Sequence, residues 1–225
     1  MKKYALFDWD NTLRKGFTIT AWMEYLYDRG VIEEKYYFDL LNQFELCKSN
    51  RISYRKLSYN TTSVYANAIL GVQFSCLEKM GQEFCCNDTF IFPFTYQLFD
   101  CLHKNEIEII IISGSPQMLL VEYAKLLGID EVYGMLIEAK DDYFTGIISQ
   151  DYGMNKQKIV QIICESKGCM PILALGDSSA DEPMLSAAEY SGIVDKASGN
   201  ILFDDKIIGS VFSAKELIEK FEFLC

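Results

Sequence analysis

Tyr4-Ala5-Leu6-Phe7-Asp8-Trp9-Asp10-Asn11-Thr12 is the stretch whose reading decides the fold. Its first four residues form an apolar run of the kind found in fully buried strands of parallel sheets. The residues that follow fall where open α/β sheets place their ligands, just past the carboxyl end of a strand. Asp8 and Asp10, two apart on an extended chain, point the same way. Like charges crowded there are costly unless a cation or a proton holds them together. The same residues also suit a polar turn, because Asp and Asn are ordinary turn formers. The rest of the chain has to separate the two readings.

With 225 residues, the chain can hold one good-sized core, or a core with a modest insertion. Half the residues are apolar, which fits a globular protein and excludes a disordered one. A net charge of −11 argues against nucleic acid or an anionic membrane surface as partner. Lys2 and Lys3 precede too few apolar residues for a signal-peptide core. The longest apolar run, Ile107 to Ile112, is strand-sized and contains Glu108, far short of a membrane span. The expectation is a cytoplasmic protein. Its eight cysteines are scattered without a Cys-x-x-Cys pair, which fits reduced thiols. The single histidine, His103, reads as a helix-end residue and leaves little room for a Ser-His or Cys-His triad. The chemistry therefore falls to carboxylates, Lys, Ser and a metal.

Past the first strand, the chain from Thr18 to Cys86 reads as helix after helix. Thr18 or Thr20 suits the start of the first, Ser53 that of the third and Ser75 that of the fourth. Pro93 and Thr95 begin another helix, and alternation of strand and helix then takes over. Ile107 to Ile112 is a buried strand that turns through Ser113-Gly114-Ser115-Pro116 into a helix. Lys140-Asp141-Asp142 marks a hairpin. Asn155 suits the cap of a helix to Lys167, and Ile172 to Leu175 is a strand stopping at Gly176-Asp177. Ser213 and Glu216 read as the capping box of a terminal helix. The fold expected is α/β, a Rossmann-like doubly wound parallel sheet with a small all-helical cap inserted after the first strand. The boundaries are residues 1–16 and 90–225 for the core and 17–89 for the cap.

Three strand ends thus carry polar clusters: Asp8 with Asp10, Ser113-Gly114-Ser115, and Asp177 with Asp181. In a doubly wound sheet such ends converge on one crevice. Lys156, opening a helix, is placed to reach it. Taken singly, Ser113 suits a helix cap, Lys156 a solvated lysine and Asp181 a charge at a helix N-terminus.

Together, in this order, the four segments resemble the motifs of the haloacid dehalogenase-like phosphatases, in the phosphoserine phosphatase-like branch with a helical cap. Asp8 to Thr12 matches Asp-x-Asp-x-Thr, Ile109 to Ser113 the second motif, Lys156 the third, and Gly176-Asp177 with Asp181 the fourth. The resemblance implies a Mg²⁺-dependent phosphatase that hydrolyses a small phosphomonoester through an aspartyl-phosphate. It makes Asp8 the nucleophile and Asp10 the acid and base, with Ser113, Gly114, Thr12 and Lys156 around the phosphate. Asp8, Asp10 (through its carbonyl), Asp177 and Asp181 become the metal-site residues, Asp181 in an orienting position. The implied partner is a small phosphorylated metabolite.

Two departures open the substrate question. Ala180 stands where the branch often has Asn, and Phe17 falls near the position of the acidic residue that pairs with the phosphoserine ammonium. Phe17, Arg51 and Arg55 are the cap residues expected to contact substrate, the arginines through a carboxylate. Arg14 and Lys15 are placed to line the entrance. Phosphoserine phosphatase proper, and a phospholigand-binding regulatory protein with little turnover, stand as alternatives.

Overall fold

The computed structural model describes residues 2–204 together with Val211, Phe212 and Glu219. The Ser213–Glu216 capping box, its helix and Cys225 lie outside the described residues. The apolar run expected at the start is β1 (Tyr4–Phe7), and all four of its residues are buried. It sits in the middle of a sheet with β2 (Glu108–Pro116), β3 (Glu131–Lys140), β4 (Tyr143–Asp151), β5 (Leu173–Gly176), β6 (Tyr190–Val194), β7 (Ile201–Asp204) and β8 (Val211–Phe212). The strand order is β4-β3-β2-β1-β5-β6-β7-β8. The five strands from β3 to β6 across the middle are mutually parallel. The outer strands β4, β7 and β8 pair antiparallel, so the sheet is mixed at both ends and not parallel throughout. The β3–β4 turn explains one of these edges. Asp141 and Asp142 take φ of 50° and 69°, the left-handed pair that closes a two-residue hairpin.

Side chains along β1 alternate between two apolar layers, as a strand buried on both faces requires. Tyr4 and Leu6 join Ile159, Val160 and Ile163 of α7 (Lys156–Lys167) and Met184 and Leu185 of α8 (Glu182–Ala187). Ala5 and Phe7 face the layer built by α5 (Pro93–Lys104) and α6 (Gln117–Leu127). The helical block expected between Thr18 and Cys86 is α1 (Thr18–Asp28), α2 (Glu34–Lys48), α3 (Tyr54–Ala68) and α4 (Phe74–Cys86). Its buried residues Trp22, Leu40, Tyr65 and Leu77 belong to the same continuous cluster as Phe7 and Ala5. The cap is therefore seated on one face of the sheet through shared apolar packing.

Helix starts differ from expectation in an instructive way. Ser53 caps α3, its hydroxyl accepting from the Lys56 N–H at 3.2 Å. The Ser75 hydroxyl instead donates to Asp142 of the hairpin at 2.7 Å, tying α4 to the core. Thr18 gives its hydroxyl to Asp10 and caps nothing. The Asn155 amide donates to the Asp151 carbonyl at 2.9 Å. His103 ends α5, its Nε2 bonded to the Gly128 carbonyl at 2.8 Å. Among the described residues no two cysteines form a disulfide, and no helix is long and apolar enough to cross a membrane.

The chain crosses between core and cap twice, and the two crossings are clasped together. The Lys15 N–H donates to the Phe90 carbonyl at 2.8 Å and the Phe92 N–H to the Leu13 carbonyl at 2.9 Å. Between them the Arg14 Nε reaches Asp88 at 2.7 Å, with both side chains 2% exposed. Arg14 thus turns inward and does not line the entrance, because its guanidinium is already paired with a buried carboxylate. Removing one partner of such a pair strands the other charge. Arg14→Met should lower the unfolding free energy by about 3–5 kcal/mol in urea denaturation, and adding Asp88→Leu should restore much of it. A single-variant loss below about 1 kcal/mol would place the pair with ordinary surface bridges.

Candidate active site

The carboxyl ends of β1, β2 and β5 meet at the switch point where the chain leaves β1 in both directions, the expected place for a crevice. A cleft of about 820 Å³ opens there, between these strand ends and the cap. Asp8, Asp10, Ser113, Gly114, Lys156, Asp177 and Asp181 all line it, as do Phe17 and Arg55.

Asp8 is fixed at both oxygens. The Lys156 ammonium donates to Oδ1 at 2.6 Å and the Thr12 hydroxyl to Oδ2 at 3.0 Å. Thr12 is fully buried beneath Asp8, so it orients this carboxylate and does not reach substrate as expected. Lys156 is itself buried, and its second bond goes to Asp181 Oδ1 at 2.5 Å. The other oxygen of Asp181 accepts from the Asp177 and Ser178 N–H groups and the Ser178 hydroxyl at 3.0–3.1 Å. With these bonds made, Asp181 aims Lys156, and the turn Gly176–Asp181 is closed on itself. Ala180 sits on that turn, its N–H donating to the Ser178 hydroxyl at 3.3 Å.

Asp10 has different company. Its Oδ1 accepts from the Thr18 N–H at 2.9 Å and the Thr18 hydroxyl at 2.6 Å. Its Oδ2 accepts from the Ser115 hydroxyl at 2.8 Å. Trp9, between the two aspartates, points the opposite way into the core and donates to the Thr18 hydroxyl at 3.0 Å. Asn11 follows in the left-handed region at φ 62°, which lets the chain reverse immediately after Asp10. Neutral donors hold Asp10, while a cation holds Asp8.

Burial sets the titration of this cluster. It pushes Asp8 up to about 8, against the Lys156 charge and with help from Asp181 and Asp177. Burial, with Asp181 beside it, raises Asp177 to about 6. Asp10 is also raised by burial, against the opposing hydrogen bonds of Thr18 and Ser115. Lys156 is held above its usual value by Asp8 and Asp181, against desolvation.

Ser113 and Gly114 form the opposite wall. The Ser113 oxygen accepts from the Ser115 N–H at 3.1 Å, leaving its own proton free to donate into the cleft. Gly153 presses on this loop: a methyl group there would lie 2.5 Å from the nitrogen and Cα of Gly114. Asp151 links the same loop to the cap, with Oδ1 accepting from the Met154 N–H at 3.1 Å and Oδ2 from the Thr62 hydroxyl at 3.4 Å.

Three of these residues carry no sequence signal as contributors: Thr18, Asp151 and Gly153. Thr18 reads as a helix start and Ser115 as part of the polar strand end, and neither spacing announces a bond to Asp10. Asp151 and Gly153 had no signal beyond lying just upstream of Lys156. Arg51 is a correction: its guanidinium donates to the Ser49 hydroxyl at 3.0 Å on the surface and does not line the cleft. It belongs to the turn that follows α2.

Carboxylate oxygens of Asp8, Asp177 and Asp181 lie within 4.8 Å of one another. With Asp10 the cleft gathers four carboxylates against the Lys156 ammonium, a negative excess of hard oxygen donors that suits Mg²⁺. A cation there must displace protons from the raised carboxylates. Calorimetry in two buffers of different ionisation enthalpy should therefore show proton release on Mg²⁺ binding near neutral pH, with affinity falling as the pH drops from about 8 through about 6, where Asp8 and then Asp177 protonate. Binding without proton release would mean these carboxylates are already ionised. Gly153→Ala should weaken inorganic phosphate binding by about tenfold to a hundredfold and lower the melting temperature by a few degrees, because it displaces the backbone of the Gly114 loop. Unchanged phosphate affinity would show that the loop yields freely.

The family model for haloacid dehalogenase-like hydrolases matches residues 5–186. No curated protein matches the sequence. Solved structures similar in fold include a protein of unknown function from Bordetella pertussis Tohama I, with 15% identity over 85% of this chain and 89% of that one, TM-score 0.67. A substrate-bound phosphoserine phosphatase shares 19% identity over 85% of each chain, TM-score 0.59. A phosphoserine phosphatase from T. onnurineus shares 22% over 99% of this chain and 95% of that one, TM-score 0.56. At such identities these structures speak to the fold, while the family model spans most of the chain and every motif from Asp8 to Asp181. This chain belongs to the haloacid dehalogenase-like hydrolases.

Proposed function

We propose that the protein is a Mg²⁺-dependent phosphatase that hydrolyses a small phosphomonoester through an aspartyl-phosphate on Asp8. One observation carries the reading: two neighbouring carboxylates face the same cleft in opposite environments, Asp8 on the Lys156 ammonium and Asp10 on neutral hydroxyls. Pairs of titratable groups set apart in this way divide into nucleophile and acid.

An Asp8 oxygen attacks phosphorus and the ester P–O bond breaks. The leaving oxygen takes a proton from Asp10, whose carboxyl burial pushes above its ordinary value. Asp10, now a carboxylate, removes a proton from water as that water attacks the phosphorus, and the bond to Asp8 breaks to release inorganic phosphate. Lys156, the Ser113 hydroxyl and the Gly114 N–H hold the phosphoryl oxygens throughout. Asp8, the Asp10 carbonyl and Asp177 would hold Mg²⁺, with Asp181 behind them orienting Lys156. When bound, the ion neutralises charge between the carboxylates and the phosphate. The phosphoserine phosphatases among the similar structures support a small phosphorylated substrate. Arg55, on the cap side of the cleft, is offered as a contact for a polar end of it.

Asp8→Asn should abolish Mg²⁺-dependent phosphate release from an aryl phosphate, and retained turnover would remove Asp8 from the nucleophile's role. Asp10→Asn should lower kcat on an alkyl phosphate by about 10²–10⁴-fold. It should cost much less on a nitrophenyl phosphate, whose leaving group departs without a proton. Equal losses on both would deny Asp10 the acid's part.

A further inference from the structure

Opposite the phosphate end, the cap closes the cleft with Phe17, Ile19, Phe44, Tyr54, Leu57 and Arg55. Phe17 and Phe44 pack against one another at 4.9 Å between ring centroids, with a 42° tilt. Ile19 and Leu57 are buried behind them, and Tyr54 begins α3 with its phenol in the field of the catalytic carboxylates. No Asp or Glu from the cap lines the cleft among the described residues. The two basic side chains near its mouth, Arg55 and Lys158, have no ion-pair partner there.

An ammonium group is poorly served by this wall. Taking it out of water without a carboxylate is expensive, and Arg55 and Lys158 add repulsion. The catalytic carboxylates are engaged by Lys156 and the metal. A cage for a quaternary ammonium would need ring faces turned toward the cation, whereas Phe17 and Phe44 turn toward each other. What the wall does offer is the apolar patch of Phe17, Phe44, Ile19 and Leu57, flanked by the uncharged hydroxyls of Ser53, Ser58, Thr61 and Thr62, in a cleft far larger than a two- or three-carbon leaving group requires.

We infer that the leaving-group half of the cleft, built on Phe17, Phe44, Ile19 and Leu57, selects an uncharged apolar group such as an aromatic ring over an amino alcohol. The inference rests on the phosphatase reading only in putting the phosphate at Asp8 and the leaving group under the cap.

Non-hydrolysable phosphonates separate selectivity from turnover. In the presence of Mg²⁺, 2-phenylethylphosphonate should bind about tenfold tighter or more than 3-aminopropylphosphonate by titration calorimetry, the effect of partly burying a ring. Phe17→Ala should erase most of that margin, and Phe17→Glu should reverse it toward the amine. Inorganic phosphate, which occupies only the Asp8–Ser113–Lys156 half, should bind all three proteins alike and so reports that they are folded. Equal affinities, a preference for the amine or its trimethylammonium analogue, or failure of either phosphonate to bind would overturn the inference, whatever the fate of the variants. Missing Asp8-dependent phosphate release with the phenylethyl preference intact would instead count against the phosphatase reading.

Discussion

A single buried ammonium holds the catalytic centre together. Lys156 lies between Asp8 at 2.6 Å and Asp181 at 2.5 Å, and those residues come from the ends of β1 and of the turn after β5. Three carboxylates within 4.8 Å of each other, with Asp10 nearby, could not coexist ionised in a buried place without it. Burial, with the neighbouring carboxylates adding to it, raises Asp8 to about 8 and Asp177 to about 6. Counted as charges, Asp8, Asp10, Asp177 and Asp181 outnumber the one ammonium among them. That excess suits the divalent cation proposed for the site.

A second network runs from the two core–cap crossings to Asp10. Arg14 pairs with Asp88 across the two chain crossings, and the Tyr123 hydroxyl donates to the same carboxylate at 2.5 Å. The Tyr123 ring lies 4.5 Å from Trp9, and Trp9 donates to Thr18, which grips Asp10. The residue between the two aspartates is therefore the joint by which core packing fixes both. Because Thr18 is also the first residue of the cap's first helix, the orientation of Asp10 and the seating of the cap are coupled through one side chain.

How much of this was legible depended on whether a feature is local. The apolar run Tyr4–Phe7, the glycine-bounded helices and the polar strand ends are written in residue type and period, and they gave the core, the helical insertion and the converging cluster. Bonds across long stretches of chain were not legible. The motif resemblance put Thr12 around the phosphate, yet its depth under Asp8 is a tertiary fact. Arg51 and Arg55 were equivalent as letters, and only the turn after α2 sends one to the surface and leaves the other at the cleft. The antiparallel β3–β4 edge was legible as the hairpin at Lys140-Asp141-Asp142, whereas the antiparallel pairing of β7 and β8 was not.

The account stands on Asp8 as the atom that receives the phosphoryl group. Turnover of a phosphomonoester with Mg²⁺, quenched with borohydride, reduces an aspartyl-phosphate to homoserine, which peptide mass spectrometry can locate. Homoserine at position 8, dependent on substrate and absent from unreacted enzyme, is the predicted result. Active turnover that leaves residue 8 as aspartate while another carboxylate is reduced would contradict it.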